Sequence, residues 1–318
     1  MTIWTFKLEP LYRTSDPNKP RPSYEDVRLT PWQVALDAFD LCCNLRGIGW
    51  NWSKGLHLPK ETRRTDSRIL FILSTLRSFI LTVIIFDVLH YTVQSFGWET
   101  FGSGSGGTIF GDESEPAVLR YPRATLVAFL SGLTICLGIQ VGYYMLSLIG
   151  LVVFQNDPKT WPPIFDTPWF ATSLADFWAR RWHQAFRDLF VSCGSKPLAR
   201  VFGRMGTVMG AFLISGILHV TGLWGMGRGT EFWTVAGYFL VNGVGLILER
   251  LWKQLTGRRV QGVWGNVWTM IWVVGWGVFL VDAWARKGLV GSVFFTQDTR
   301  PMNIVIRHLS SLYKSVPS

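Results

Sequence analysis

Long apolar runs alternate with polar, Gly-rich or Pro-rich stretches along this chain of 318 residues. A helix needs about 20 residues to cross the hydrocarbon core of a bilayer, and five of the runs reach that length. A shorter apolar stretch at residues 288–296 cannot span alone, so we expect a partial span or a re-entrant segment there. The pattern predicts an all-α integral membrane protein, a helical bundle of about five to seven spans. The predicted spans cover residues 69–91, 126–154, 207–224, 232–252 and 263–284.

Composition argues against an ordinary soluble domain. Charged residues make up 16% of the chain, against about 25% in typical globular domains, and aromatic residues make up 15%. Residues 1–30 are polar and Pro-rich, which is typical of an irregular tail. We therefore expect a single membrane domain over residues 31–318, with an irregular tail before it.

The net charge of +10 comes from basic residues in the loops between the predicted spans. No block rich in Lys and Arg marks a nucleic-acid patch, so the positive-inside bias of membrane proteins is the favoured explanation and no nucleic-acid partner is expected. Basic residues crowd residues 1–68, 155–204 and 253–259, whereas the loop 92–120 is acidic. This asymmetry predicts that residues 155–204 face the cytosol. We expect a multi-pass protein of the endoplasmic reticulum membrane.

The cysteines give no sign of a disulfide framework or a metal site. They form no C-x-x-C pair and have no Cys/His ligand spacing, so we expect four reduced cysteines and no metal cofactor. The four are Cys42, Cys43, Cys136 and Cys193.

A helix at the membrane surface is predicted to begin at Pro31. Apolar side chains and one cysteine recur there every three to four residues, and Gly-containing sequence then breaks the helix. Trp50 and Trp52 suit an interfacial aromatic belt. The alternative is that Arg46 and Trp50 shape a substrate entrance. The recurring residues are Trp32, Leu36, Phe39 and Cys43.

The stretch 173–190 reads as one amphipathic helix that begins at Ser173, with Asp176 completing a capping box. One interpretation is an interfacial helix, with its tryptophan face in lipid and its charges in water. The other is that the polar stripe lines a cavity where Arg180 and Arg187 bind phosphate groups and Asp176 orients Arg180. The polar stripe consists of Asp176, Arg180, His183 and Arg187, and the opposite face of Leu174, Trp178, Trp182, Ala185 and Leu189.

His219 lies about twelve residues into the apolar run that begins at Thr207, which places an imidazole at membrane depth. An ionisable side chain there is a functional candidate, and the neutral ring suits a general base that removes a hydroxyl proton. Ser215 lies one turn earlier. The alternative is a structural histidine bonded to a neighbouring span, which is also how we interpret His57, His90 and His308.

Two further acidic residues near span ends receive structural interpretations. Glu249 is expected to form a salt bridge with Arg250 at a helix end. Asp282, near the end of a span, is expected either to snorkel to the membrane surface or to lie on the lumenal side. No G-x-S-x-G, Walker A or H-E-x-x-H motif stands in a suitable structural context.

Three motifs carry a resemblance to a known family. Phe177-Trp-Ala-Arg-Arg-Trp-His183, preceded by Ser173-Leu-Ala-Asp176, resembles the wax synthase branch of the membrane-bound O-acyltransferases. Ser215-Gly-Ile-Leu-His219 is similar to the second signature of that branch, and Arg46-Gly-Ile-Gly-Trp50 resembles its fungal members. The likeness covers about residues 31–284. Val220 departs from the pattern, since many relatives carry Glu after the histidine.

The resemblance implies a multi-helix fold with an internal tunnel. Acyl-CoA would enter it from the cytosol, and a hydroxylated lipophilic acceptor from the bilayer. His219 matches the active-site histidine of the family. His183 matches a position that is Asn in many relatives, and would hydrogen-bond the thioester or position the acceptor. The other assigned side chains are Arg180, Arg187, Asp176 and Trp182 for acyl-CoA, and Ser215 and Trp178 for the acceptor.

Fungal relatives of this type acetylate terpenoid or meroterpenoid hydroxyls, so acetyl-CoA is the favoured donor. The alternatives are long-chain wax-ester synthesis, a membrane cyclase or isomerase that works without acyl-CoA, and a lipid carrier for which His219 is dispensable. If the catalytic interpretation is right, His183 and His219 should face one shared cavity.

Overall fold

The computed structural model describes residues 11–14, 30–296 and 298–314, without the side chains of 305, 308, 309 and 311–314. The predicted irregular tail 1–30 therefore lies mostly outside the described residues, and so does the side chain of His308. The described chain is helical and contains no strand beyond one isolated bridge between Arg13 and Trp50. Its helices are α1 (Pro31–Cys43), α2 (Arg68–Ser95), α3 (Ala117–Val152), α4 (Leu174–Asp176), α5 (Arg187–Phe190), α6 (Lys196–Leu223), α7 (Phe232–Thr256), α8 (Gly262–Arg286) and α9 (Pro301–Lys314).

Five helical segments of the described chain are long and apolar enough to cross a membrane. They coincide with the five predicted runs, so the prediction of an all-α, multi-span protein is confirmed. Most bounds are wider than predicted because helix continues into polar sequence at the ends of the apolar runs, whereas the second segment ends at Val152, two residues before the predicted end. The five segments are Arg68–Ser95, Ala117–Val152, Arg187–Arg228, Phe232–Thr256 and Gly262–Arg286.

The third candidate span is irregular. Helix α6 is interrupted at Gly203, whose φ of 55° and ψ of −134° lie outside the helical region and favour glycine. Wide π turns precede and follow α6, at Val191–Ser195 and Trp224–Arg228. The predicted run at 207–224 coincides with the regular helix between the kink at Gly203 and the π turn that begins at Trp224.

The described chain separates into two compact units. The first combines Met1–Glu61, Lys159–Ser215 and Asn242–Thr269, and the second Thr62–Pro158, Gly216–Val241 and Met270–Ser318. Helices α6, α7 and α8 each supply one part to each unit.

The N-terminal part of the first unit differs from the sequence prediction. Helix α1 forms as predicted, but Trp50 and Trp52 are buried, so the prediction of an interfacial belt is wrong. The indole of Trp50 donates to Asp40 Oδ2 at 2.7 Å, and Gly47 turns against the ring of Trp52 with no space for a side chain. The whole turn is folded into the unit, which removes both indoles from its surface.

Arg46 is buried in the same turn. Its guanidinium donates to the backbone carbonyls of Pro162 and Pro163, both at 3.0 Å. These bonds give Arg46 a structural role in the loop that precedes the 173–183 sequence.

Helices α2 and α3 pack together in the second unit, and an apolar core forms around them. Arg300 reaches Asp87 of α2, with 2.8 Å between Nε and Oδ1, and both side chains are buried. Residues 288–296 form turns rather than a helix, and the carbonyl of Val290 lies 3.2 Å from Nε2 of His90. The structural interpretation of His90 agrees with this contact.

Asp282 also lies in the second unit, and the prediction that it snorkels is wrong. The carboxylate is 3% exposed and accepts the hydroxyl of Thr108 at 2.7 Å and the N–H of Ile109 at 2.9 Å. Arg286, one turn later on α8, also donates to it. The loop after α2 folds over this carboxylate and excludes it from solvent.

Candidate active site

The helix predicted over residues 173–190 is not continuous. Ser173 begins it as predicted, because its hydroxyl accepts the N–H of Asp176 at 3.0 Å. Helix α4 then widens into a π turn at Phe177–Arg181, and Trp182 adopts an extended conformation. The 173–190 prediction is therefore wrong after Arg181, and the four polar positions do not form one helical stripe.

The break after Arg181 is stabilised by hydrogen bonds to the last carbonyls of the turn. The amide of Gln184 donates to the carbonyls of Trp178 and Trp182, both at 3.0 Å. The N–H of Asp166 donates to the carbonyl of Arg181 at 2.9 Å. These bonds satisfy groups that a continuing helix would have paired, which is why the chain can turn here.

Asp176 orients Arg181 rather than the predicted Arg180. Arg181 Nε lies 2.6 Å from Asp176 Oδ2, and its Nη1 donates to the carbonyl of Asp166 at 3.0 Å. A π turn brings together residues five apart, whereas an α-helix brings together residues four apart, so the extra residue shifts the partner by one. Arg180 is exposed, and no ion pair or hydrogen bond to it is found in the described chain.

Glu249 holds the first turn of α4. Its carboxylate accepts the N–H of Leu174 at 2.6 Å and that of Ala175 at 3.1 Å, and also the indole N–H of Trp268 at 3.1 Å. A carboxylate at a helix N-terminus is favourable because it satisfies unpaired N–H groups and the helix dipole. The predicted salt bridge to Arg250 is therefore wrong.

Two buried or half-buried amides extend this support. The indole of Trp178 donates to Asn242 Oδ1 at 3.0 Å, and Asn242 is fully buried on α7. The side chain of Asn266 on α8 donates to the carbonyls of Trp169 and Ala171, both at 2.9 Å. Helices α7 and α8 thus fix the 169–178 sequence through side-chain hydrogen bonds. Trp178 is held by this network, and its predicted contact with the acceptor stays a prediction.

His183 lies among aromatic rings. Its imidazole centroid is 5.9 Å from Phe165, 5.5 Å from Trp182 and 6.2 Å from Phe186. The ring is neither fully buried nor fully exposed. Aromatic walls of this kind limit the orientations that the imidazole can take.

Arg187 lies beside the turn that follows Trp52. Its Nη1 is 3.5 Å from the carbonyl of Lys54, and Gly55 packs against the guanidinium. This glycine has a φ of 77°, so a side chain there would be strained as well as close to Arg187. Nearby, His57 Nε2 lies 3.1 Å from Asp166 Oδ2, which agrees with the structural interpretation of His57.

His219 lies on the part of α6 that belongs to the second unit. Its ring stacks on Phe239 of α7, with 4.2 Å between the centroids. Gly216 lies against Ala236, where an added Cβ would be 3.0 Å from the Cα, so the two helices approach closely beside the histidine. Ser215 is buried on the same helix. The shared cavity of His183 and His219 would join residues of both units, and it stays a prediction.

No cluster of three or more His, Cys, Asp or Glu side chains able to hold a metal ion is found among the described residues. The four cysteines are free, as predicted.

Residues 161–241 match the sequence profile of the membrane bound O-acyl transferase family. They contain both signature segments, from Ser173 to His183 and from Ser215 to His219.

Several named relatives are similar to the chain. It is 26% identical over 247 residues to acetyltransferase sirH of Emericella nidulans. The matched region covers 72% of this chain and 54% of that protein. It is 25% identical to O-Mevalon transferase yanI of Aspergillus niger over 99% of this chain and 75% of that protein. It is also 32% identical over 107 residues to a long-chain-alcohol O-fatty-acyltransferase of Simmondsia chinensis. That match covers 31% of this chain and 30% of that protein.

The chain matches only about half of the length of the first of these relatives. These relatives are named as transferases, and the five candidate spans of the described chain agree with a multi-pass membrane protein.

Sequence reasoning missed Arg181 and Asn242 and gave Glu249 the wrong partner. A signal for two of them was present: Asn242 and Glu249 are polar residues inside an apolar run, and such residues need a hydrogen-bond partner in the membrane. Nothing in the sequence pattern distinguishes Arg181 from Arg180 unless the π turn is known.

Proposed function

We propose that this protein transfers an acetyl group from acetyl-CoA to a hydroxyl group of a lipophilic terpenoid or meroterpenoid, in the endoplasmic reticulum membrane. The observation that carries the proposal is the pair of signature segments within residues 161–241, one of which places an imidazole inside a candidate span. The fungal relatives named as acetyltransferases support the acetyl donor.

In the proposed reaction His219 is the general base. Its neutral imidazole accepts the proton of the acceptor hydroxyl while the oxygen attacks the thioester carbonyl. The tetrahedral intermediate then collapses, the carbon–sulfur bond breaks, and the CoA thiolate takes the proton from the imidazolium. The products are an ester and CoA. The stack on Phe239 would limit rotation of the ring and thereby reduce the entropy lost when the imidazole is aligned.

His183 would act on the donor or on the acceptor. An imidazole N–H donated to the thioester oxygen would stabilise the developing negative charge, and the aromatic rings around it would exclude water and strengthen that bond. If the acceptor is the partner instead, His183 would fix the orientation of its hydroxyl. Trp178 and Ser215 are proposed to contact the acceptor.

Arg180 is the side chain best suited to the phosphates of the CoA donor, because it is exposed and its charge is not neutralised by a neighbouring carboxylate. Arg187 would supply a second guanidinium. Asp176 and Trp182 would act indirectly, since Asp176 is bound to Arg181 and Trp182 stacks on Phe177.

A donor comparison tests the proposal. Microsomes that contain the protein would be incubated with a panel of lipophilic alcohols and either labelled acetyl-CoA, labelled palmitoyl-CoA or no acyl-CoA. Labelled acetyl ester is the expected product. If ester forms from palmitoyl-CoA but not from acetyl-CoA, the acetyl donor is wrong and the protein is a wax-ester synthase. The likeness to the Simmondsia chinensis relative supports that alternative. A substrate converted without acyl-CoA would indicate a cyclase or isomerase and contradict the proposal.

A further inference from the structure

Helix α1 turns its polar side towards its own unit and its apolar side outwards. Asp37 Oδ1 accepts from Arg13 Nε at 2.6 Å, and Asp40 Oδ2 accepts from Trp50 Nε1 at 2.7 Å. No residue of α1 is buried. An amphipathic helix of a soluble protein does the reverse, since it packs its apolar face on the core. The outward apolar side chains are Trp32, exposed by 70%, Leu36, by 38%, and Phe39, by 52%.

A bilayer is the surface that fits this face. The chain has five candidate spans, so a membrane is present beside it, and tryptophan and phenylalanine are suited to the interface between headgroups and acyl chains. The basic character of residues 1–68 predicts the cytosolic leaflet for α1. Burial of the three apolar side chains in the interface would remove the energetic cost of their exposure to water.

Helix α1 is capped at both ends. Thr30 and Gln33 form a reciprocal capping box at its start. At its end the N–H of Asn44 donates to the carbonyl of Asp40 at 2.7 Å, and its amide donates to the carbonyl of Ile48 at 2.8 Å. These bonds cap the helix, while the contacts of Asp37 with Arg13 and of Asp40 with Trp50 hold its polar side against the unit and leave the opposite face outward.

Cys42 and Cys43 lie at the C-terminal end of this helix, and both are exposed. Cys43 continues the outward apolar stripe, four residues after Phe39, and Cys42 is its direct neighbour. The other two cysteines differ, since Cys136 is buried within a candidate span and Cys193 is half-buried.

We propose that Cys42 and Cys43 are a site of S-acylation by long-chain acyl groups, which anchors α1 in the cytosolic leaflet. Cysteines on amphipathic helices at a membrane surface are suited to this modification, because acyl donor and thiol meet at the same depth. One amphipathic face binds a membrane weakly, whereas a face together with an acyl chain gives stable attachment.

The chemistry is an exchange of thioesters. A cellular S-acyltransferase presents a long-chain acyl-CoA, and the cysteine thiolate attacks its carbonyl carbon. The bond from that carbon to the CoA sulfur breaks as the bond to the cysteine sulfur forms, and the proton of the cysteine thiol ends on CoA. No electrons are exchanged with an oxidant or reductant. Hydrolysis of the new thioester would reverse the modification.

The test is an acyl-exchange assay on the full chain in eukaryotic membranes. Free thiols are blocked with N-ethylmaleimide, thioesters are cleaved with hydroxylamine, and the released thiols are labelled with a polyethylene glycol maleimide that shifts the band on a gel. We expect one or two hydroxylamine-dependent shifts in the wild type. They should be lost in Cys42→Ser/Cys43→Ser and kept in Cys136→Ser.

Two results would overturn the site. One is a wild-type chain that shows no hydroxylamine-dependent shift while an endogenous S-acylated protein in the same membranes does. The other is a shift that persists in Cys42→Ser/Cys43→Ser.

A second variant tests the role of the helix face. Trp32→Asp/Phe39→Asp should lower the acylated fraction severalfold, because the helix no longer lies in the interface. Val34→Asp, an exposed apolar position of α1 off the stripe, should leave that fraction unchanged. Equal acylation in Trp32→Asp/Phe39→Asp and Val34→Asp would contradict the bilayer contact.

Discussion

Arg180 and Arg181 are adjacent in sequence but have different surroundings. Arg181 is bound to Asp176 and to the carbonyl of Asp166, whereas Arg180 is exposed. This difference follows from the π turn, which pairs Asp176 with the fifth residue after it instead of the fourth. We therefore expect the two arginines to fail in different ways when each is replaced.

Arg181→Gln should destabilise the protein, because it removes the partner of a half-buried carboxylate. Hydrogen bonds to charged groups contribute about 1.5–3 kcal/mol each, so a clear fall in the detergent unfolding temperature is expected. Arg180→Gln should leave that temperature unchanged and raise the KM for acyl-CoA severalfold. Thermal unfolding and initial rates measure both effects. Equal unfolding temperatures for the two variants would contradict the assigned contacts.

The candidate site residues were predictable from the sequence only as residue types. An apolar run of span length places an imidazole at membrane depth, so the sequence alone makes His219 a candidate. The partner of Asp176 was not, because the prediction assumed 3.6 residues per turn and the chain widens at Phe177–Arg181. Sequence periodicity cannot detect one π turn inside a short amphipathic segment.

At the scale of elements, α4 depends on a carboxylate that lies 75 residues further along the chain. Helix α4 has three residues, so it cannot be stable by itself, and its first N–H groups are satisfied by Glu249. The sequence did not reveal this pairing, since nothing in the local pattern connects two positions so far apart.

Glu249→Ala should loosen the start of the signature segment. Two backbone N–H groups, of Leu174 and Ala175, and the indole of Trp268 would lose their acceptor, at a cost of about 1–3 kcal/mol for each buried group left unsatisfied. We expect a lower unfolding temperature and faster proteolysis near residue 174. The matched control is Arg250→Gln, which should behave as the wild type. An unchanged Glu249→Ala protein would contradict the proposed support.

The two glycines near His219 on α6 provide a second contrast between neighbouring positions. An added Cβ at Gly216 would lie 3.0 Å from the backbone of Ala236, whereas nothing lies within 4 Å of the position at Gly222. Gly216→Leu should therefore separate α6 from α7 and disturb the stack of His219 on Phe239. Activity should fall at least tenfold, since small displacements of reacting groups are costly.

Gly222→Leu is the control, and it should retain activity because its side chain has open space. Both variants would be compared at equal amounts of folded protein, judged by size-exclusion chromatography. If Gly222→Leu loses as much activity as Gly216→Leu, the close approach of the two helices is not the cause.

At the scale of the whole molecule, the number of spans was predictable because an apolar run of about 20 residues has few alternatives to crossing a bilayer. The kink within a span and the burial of charged side chains were not predictable. The kink at Gly203 requires a backbone conformation open to glycine, yet the chain has 32 glycines and the sequence does not show which one bends the helix. The burial of Asp282 and Arg300 depends on loops that fold back over the helices.

The loop before α7 should make the stability of the second unit depend on pH. The hydrogen bond from Arg286 lowers the pKa of Glu231 below its ordinary value of 4.5. The contribution of the Glu231–Arg286 pair to the free energy of unfolding is therefore present above pH 4.5 and is lost as the pH falls through the lowered pKa. Because Arg286 is partly exposed, the effect should be below about 1 kcal/mol.

Glu231→Gln should consequently lower the unfolding temperature slightly at pH 7, and the difference from the wild type should shrink as the pH falls below 4.5. Unfolding in detergent at a series of pH values measures this. A difference that grows as the pH falls would contradict the assignment.

The central claim is that His219 is the general base of the proposed acyl transfer. The most direct measurement compares the wild type, His219→Ala and His57→Ala in microsomes, at equal amounts of folded protein, with labelled acetyl-CoA and an accepting alcohol. A general base contributes about 10²–10⁴-fold to a rate, so His219→Ala should lose at least a hundredfold in ester formation while His57→Ala retains it. Ester formation by His219→Ala at the wild-type rate would contradict the account.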